Sequence, residues 1–488
     1  MKRILALAGL ALAACLALLV GRALLLRPQQ IDVAPVTRTA FPDEGAIAER
    51  LAAAIRIPTV SHQDPADDDP VAFQAFRDLL ERSYPALHAS LRREVVFERS
   101  LLYTWPGRDA SLPGVVLMAH QDVVPVEPGT EGNWEHPAFS GAIANGFVWG
   151  RGTLDTKAKL TALCEAVESL AREGFQPKRT TYLFFGHDEE VGGGHGAIPM
   201  VERFTAEGKR FEWVLDEGGT IAVGIVPGVE KPVALIGIAE KGYLTLALTA
   251  TAEGGHSSMP PPHTAIGILA AGIERLEAQP LPAAVRGATR HFLTAIAPEM
   301  DLPARTVVAN ADVLEPLVLR ALSGSPRSNA TIRTTTAVTM IDAGIKENAL
   351  PASARAVVNF RLLPGDTIEG VIEHVRRAVD DARITVEVLP GSHAIEPSPE
   401  SRIDSDGYAV LTRTIREMHP DAVIAPNLVL GGTDARYFRS VSESVYRFGP
   451  LRLGPEDLKR PHGTNERIDV EDYLDSIHFY VRLLRNAG

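Results

Sequence analysis

Glu189 and Glu190 stand side by side at the end of the apolar run Thr181-Tyr-Leu-Phe-Phe185, and Gly192, Gly193 and Gly194 follow almost at once. Adjacent side chains leave a strand end in different directions. One carboxylate can therefore coordinate a metal ion while its neighbour faces the water that the ion activates. Taken alone, the pair reads equally well as an acidic turn in water, and the remainder of the chain has to decide.

Three further stretches offer the same kind of chemistry. The continuous apolar run Gly114-Val-Val-Leu-Met-Ala-His120 is the pattern of a fully buried strand, and it ends on His120 and, two residues on, Asp122. A spacing of two sends both side chains to one side, where the carboxylate can hold and tune the imidazole. Asp155 precedes a helical pattern over residues 157–173, as either an N-cap or a metal ligand. The run Phe211-Glu-Trp-Val-Leu-Asp216 ends in Glu217, Gly218 and Gly219, and His462 lies in a polar turn near the C-terminus. A two-metal hydrolytic site needs a bridging carboxylate, terminal ligands on each ion and a base for the shared water. His120, Asp155, Glu190, Asp216 and His462, with Glu189 left over as the base, fill that inventory. Oxygen and imidazole donors without thiolates suit two Zn2+ ions, with Co2+ or Mn2+ as substitutes.

These residues need elements to bring them together. Apolar strands ending in acids and histidine, alternating with amphipathic helices, predict an α/β fold: a mostly parallel sheet with helices on both faces and a ligand site at the carboxyl ends of its strands. The chain, at 488 residues, is too long for one core. From Tyr243 the order of elements becomes β-α-β-β-α-β, a small antiparallel sheet covered on one face. We expect a catalytic domain formed by residues 44–242 and 391–488, with an α+β domain of residues 243–390 inserted into it.

Composition narrows the class. There are 49 Lys and Arg against 61 Asp and Glu, a net charge of −12, which argues against nucleic acid as a partner. The only cysteines, Cys15 and Cys164, provide no disulfide framework. Met1-Lys-Arg followed by an apolar run from Ile4 to Val20 predicts a membrane anchor or signal over residues 1–27, with residues 28–43 as a tether. The expected arrangement is a membrane-anchored protein whose body lies outside the cytoplasm, on the periplasmic side. A cleaved, secreted form and a lipoprotein cut before Cys15 are the alternatives.

Five ordered motifs together resemble a known family: Met118-Ala-His-Gln-Asp122, Gly150-Arg-Gly-Thr-Leu-Asp-Thr-Lys157, Gly186-His-Asp-Glu-Glu-Val-Gly-Gly193, Asp216-Glu-Gly-Gly219 and His462-Gly-Thr-Asn-Glu466. They are similar to those of the dinuclear zinc amidohydrolases that include aminoacylase, acetylornithine deacetylase, carnosinase and carboxypeptidase S. The long segment between Glu277 and Arg333 and the N-terminus look most like the branch of carboxypeptidase S and the N-fatty-acyl-amino-acid synthase/hydrolases. The resemblance implies a zinc-exopeptidase type of fold with a ferredoxin-like lid. It implies Asp155 as the bridge, His120 and Asp216 on one zinc, Glu190 and His462 on the other, Glu189 as general base and Asp122 behind His120. It also implies a cis peptide at Asp155-Thr156, His256 of Gly254-Gly-His-Ser257 as oxyanion donor, and Asn348, Arg361, Gly432 and Thr433 as substrate-binding residues.

The implied reaction is hydrolysis of an amide bond next to a free carboxylate, in an N-acyl amino acid or a short peptide. The alternative is a catalytically silent metal-binding recognition protein of the same fold. The resemblance leaves open a monomer or a homodimer through the lid.

Overall fold

The structure is a computed structural model that describes residues 1–488 apart from Gln29, Thr39, Ala40 and Pro42. The expected tether therefore lies partly outside the described residues. Among the described residues, one helix, Lys2–Leu25, is long and apolar enough to cross a membrane.

A mixed sheet of ten strands organises the larger part of the chain. At its centre Gly114–His120 lies between Thr181–Gly186 and Phe211–Asp216, parallel to both. Antiparallel strands extend it through Ser100–Trp105 at one side, and Val233–Glu240 carries Val423–Val429 in parallel at the other. The central strands are apolar at most positions because both faces are covered. Val115, Leu117 and Ala119 enter one core with the helices Glu44–Ile55, Lys157–Arg172 and Val470–Asn486. Val116 and Met118 enter the opposite core with the helix Ala197–Ala206. Alternate residues thus anchor the strand from both sides, and its carboxyl end is held in place.

The second sheet has four antiparallel strands in the order Thr335–Ala343, Ser353–Leu362, Gly242–Thr251 and Ile384–Val388. Here burial alternates. Leu244, Leu246, Leu248 and Ala250 face the helices Ala265–Ala278 and Ile368–Val379 in a core of their own. The order of elements is the β-α-β-β-α-β expected from the sequence.

One stretch between residues 243 and 390 does not pack on this sheet. Residues 285–332 form the helices Gly287–Ile296, Leu302–Ala309, Ala311–Leu322 and Pro326–Ala330. Val285, Leu293, Ile296, Val318 and Ile332 bury against Val233, Leu235, Val423 and Ala425 of the large sheet. An amphipathic helix declares a buried face without naming the surface that buries it.

Candidate active site

Asp155 lies at the centre of the site, between two imidazoles. Its Oδ1 is 3.0 Å from His120 Nε2 and its Oδ2 is 3.0 Å from His462 Nε2. His462 Nε2 also lies 3.0 Å from Glu190 Oε2, and His120 Nε2 lies 3.1 Å from Glu217 Oε1. Ligand atoms of His120, Asp155 and Glu190, and separately of His120, Glu189 and Glu217, fall within 4.8 Å of one another. Side chains from five separate stretches therefore converge at the carboxyl edge of the large sheet.

Each stretch is held from behind. His120 Nδ1 is 2.9 Å from the Asp122 carbonyl, which leaves Nε2 facing the cluster. The buried Asp122 carboxylate accepts from Ser61 Oγ at 2.7 Å and from the backbone N–H groups of Glu189 and Glu190 at 3.3 and 3.1 Å. One carboxylate thus ties the His120 strand to the Glu189–Glu190 turn. Glu466, fully buried, does the same for Asp155. It accepts from the N–H groups of Leu154 at 2.7 Å and Asp155 at 3.1 Å, and from Arg151 at 2.8 Å. Arg151 in turn donates to the Gly463 carbonyl beside His462. The Asp155-Thr156 peptide is cis. At Gly193, with φ +67°, a Cβ would collide with the Asp434 carboxylate, so the turn after Glu190 can close only around glycine.

Asp216 is the one expected ligand that the fold takes elsewhere. Its Oδ1 accepts from the Glu217 N–H at 2.9 Å and its Oδ2 from the Ala435 N–H at 3.0 Å, so both oxygens are spent on backbone. Glu217 stands against His120 instead. Adjacent residues at a strand end face opposite ways, and the register that buries Trp213 and Leu215 in one core and Val214 in the other sends Glu217 to the cavity side.

The electrostatics fit a bound metal. Asp155, Glu189, Glu190 and Glu217 outweigh the two imidazoles even when both are protonated, and Glu190 Oε1 is buried without a hydrogen-bond partner. Burial, with Asp155 close by, pushes the Glu190 carboxyl up to about 7. Burial also raises Glu189 and Glu217. Hydrogen bonds to Asp155 and Glu190 lift His462 to about 10. Like charges crowded at this density call for cations, and these are oxygen and imidazole donors without a thiolate.

The cluster opens into a cavity of about 940 Å³. Arg361, Gly432 and Thr433 line it, and so do Lys159, Arg436 and Arg327, which the sequence did not single out. Arg361 sits opposite Tyr243 across the strand pair, with its guanidinium 4.7 Å from the ring. Glu240 accepts from Thr433 Oγ1 at 2.6 Å and pairs with the buried Arg447, which fixes the Gly432–Thr433 loop. Lys159 Nζ has no hydrogen-bond partner, and burial lowers it to about 8. His256 and Asn348 are not part of this wall. Both are exposed, on a two-stranded ribbon of Gly255–His256 with Ala349–Leu350 and the turn before it, where the Asn348 carbonyl accepts from Ser257 N–H.

Fold and site define a metal-dependent hydrolase of the α/β exopeptidase type. The chain belongs to peptidase family M20/M25/M40, whose model matches residues 116–486. It is 39% identical over 445 residues to "Probable carboxypeptidase S-like 2" of Dictyostelium discoideum, covering 90% of this chain and 85% of that one. It is 39% identical over 456 residues to the N-fatty-acyl-amino acid synthase/hydrolase PM20D1 of Xenopus tropicalis, covering 93% and 88%. In fold it is similar to the M20 family metallo-carboxypeptidase Sso-CP2 of Sulfolobus solfataricus, with a TM-score of 0.66 at 18% identity over 90% of this chain and 99% of that one. The chain is therefore an enzyme that hydrolyses amide bonds with the help of bound metal, which sets aside the silent recognition protein.

Proposed function

We propose that the enzyme releases an amino acid from an N-acyl amino acid by cleaving the amide bond next to the free carboxylate, with two zinc ions sharing Asp155. His120 and Glu217 would complete the protein ligands of one ion, and Glu190 and His462 those of the other. The observation that carries this reading is Asp155, whose two oxygens each lie 3.0 Å from the Nε2 of a different histidine. When bound, such cations polarise the amide carbonyl and acidify water.

The chain's own residues supply the rest. Glu189, half-buried beside His120 and Glu217, takes the proton of the attacking water and returns it to the leaving nitrogen; desolvation raises its carboxyl above the ordinary range, which favours proton uptake. Asp122 keeps the imidazole of His120 and the Glu189–Glu190 backbone in register. Arg361 receives the substrate carboxylate, a task its planar fork suits, with Lys159 and Arg436 as further cations in the same wall. The backbone of Gly432 and Thr433 borders the substrate. His256 as oxyanion donor and Asn348 as a carboxylate contact both require the four-stranded part of the insert, residues 243–390 without the stretch 285–332 that packs on the large sheet, to act as a lid that closes over the site.

The acyl group is a long chain in this reading. The cavity is near the upper end of the usual range for ligand pockets, roughly 300–1,000 Å³, and Val429, Leu451, Leu453, Leu458 and Pro461 form an apolar side to it. A relative named as an N-fatty-acyl-amino acid synthase/hydrolase supports the same choice. The helix Lys2–Leu25 would span the membrane, with Lys2 and Arg3 holding its start in the cytoplasm and the catalytic body on the opposite side. The exposed Met340 and Ile341 on the edge strand Thr335–Ala343 support a homodimer through the lid.

The test is hydrolysis of N-oleoyl-phenylalanine, N-acetyl-phenylalanine and a phenylalanine dipeptide by the zinc-loaded full-length chain. We expect kcat/KM for the oleoyl substrate to exceed the other two by at least about tenfold, a modest share of what burying a long chain contributes. Preference for the dipeptide would contradict the acyl assignment.

A further inference from the structure

The helices Leu302–Ala309 and Ala311–Leu322 bury Val318 inward but turn apolar side chains outward. Leu302 is 44% exposed, Val313 63% and Leu317 52%. Val313 and Leu317 flank a break in the second helix at Leu314, just before Pro316, and both stay exposed across it. Exposed leucine and valine on helices that carry the end of an apolar anchor offer a surface an apolar phase can cover. The structure supplies a specific reason for its being lipid.

The end of the N-terminal helix packs on this same pair of helices. Ala23 is fully buried there, Asn310 Nδ2 donates to the Leu19 carbonyl at 3.0 Å, Arg22 pairs with Asp312 at 3.2 Å, and Arg305 donates to the Leu26 carbonyl. Depth then follows from length. A hydrocarbon core about 30 Å thick takes about 20 helical residues. Counted from the basic Lys2 and Arg3, that span runs from Ile4 to about Ala23. Leu19 to Leu25 covers about 9 Å of helix axis at a rise of about 1.5 Å per residue, and it straddles the far boundary of the bilayer. Residues bonded to that stretch must lie at the same level, the depth of about 5–10 Å at which interfacial helices sit.

We propose that Leu302–Ala309 and Ala311–Leu322 form a lipid-docking face that seats the catalytic body on the bilayer surface around the anchor helix. The inference rests on reading Lys2–Leu25 as a membrane span. Charge does not drive it. Asp301, Asp312 and Glu315 offset Arg305 and Arg320 along the segment, so the face holds zwitterionic lipid by apolar insertion. The consequence reaches the active site. Arg327, five residues past the end of the second helix, lines the cavity, and docking sets that rim beside the source of a long-chain substrate.

The test uses the full-length chain reconstituted in phosphatidylcholine vesicles with brominated acyl chains, which quench tryptophan on contact. Leu317→Trp reports on the docking face. Ile345→Trp, at a position fully exposed on the four-stranded sheet's side of the molecule, is the control. The native Trp105, Trp134, Trp149 and Trp213 are buried and give a common background. We expect emission from Trp at 317 to shift to the blue and to be quenched at least twofold more than that from 345. Val313→Trp should behave as 317 does and serves if the first variant misfolds. Equal quenching at 317 and 345, in protein that resists alkaline carbonate extraction, overturns the docking face and leaves the anchor standing. Release of the chain by carbonate overturns the anchor and the docking face with it. A blue shift without bromine quenching overturns lipid as the occupant and points to a second copy of the chain.

Discussion

Glu217 Oε1 lies 3.1 Å from His120 Nε2, while the neighbouring Asp216 turns both carboxylate oxygens onto backbone N–H groups. The two acids are adjacent and chemically alike, yet one faces the cluster of His120, Asp155 and Glu189 and the other braces the loop that carries Ala435. Their substitutions should separate cleanly. Glu217→Gln is expected to lose about one of two bound metal equivalents and at least about a hundredfold in kcat/KM. Asp216→Asn should keep both metals at reduced affinity, in the range of about 10–100-fold for residues supporting a metal site, and lower the melting temperature. Metal content by mass spectrometry after gel filtration, with kinetics on the same samples, checks the pair.

Glu189 is assigned proton transfer without metal binding. Glu189→Gln should therefore retain both metal equivalents and lose about 10²–10⁴-fold in kcat, the usual contribution of a general base. Near wild-type turnover, or loss of a metal equivalent, would contradict that role.

Arg361 should act on the ground state and the transition state alike, because the substrate carboxylate does not change during amide cleavage. Arg361→Ala is expected to raise KM by at least about tenfold with kcat little altered. Substrates with the carboxylate amidated should no longer distinguish the variant from the wild type. A fall in kcat alone would show that the guanidinium serves the reacting centre.

Away from the site, Glu417 is almost wholly buried and accepts hydrogen bonds from Arg482, Asn486 and Arg413. Pairing with Arg482, against the opposing effect of burial, lowers its carboxyl from 4.5 to about 2. A depressed folded-state value contributes stability that is complete above the unfolded value of 4.5 and is lost as pH falls toward 2. The contribution at neutral pH is on the order of 3 kcal/mol. Glu417→Gln should melt well below the wild type at pH 7, and the gap should narrow between pH 4.5 and pH 2. A gap independent of pH would contradict the ionic origin.

Much of this arrangement was legible in the chain because burial leaves a plain signature. Gly114–His120, Thr181–Gly186 and Phe211–Asp216 are mostly apolar, and each delivers acid or histidine at or just after its end. His120, Asp155, Glu190 and His462 do converge. The choice between Asp216 and Glu217 was not legible, since a one-residue uncertainty in where a strand ends exchanges the two faces. The position of His256 was not legible either, because the separation of two packed bodies is written in no local pattern. Nor does sequence show that Glu466 accepts from the backbone of Leu154 and Asp155, or that residues 285–332 cover the large sheet. Both depend on partners distant along the chain.

The central claim is that Asp155 is shared by two metal ions. Anomalous diffraction at the zinc edge from crystals of the zinc-loaded enzyme tests it most directly. Two peaks about 3.5–4 Å apart are expected, one beside His120 and Glu217, the other beside Glu190 and His462, with an oxygen of Asp155 bound to each. A single peak, or two peaks that do not share Asp155, would contradict it.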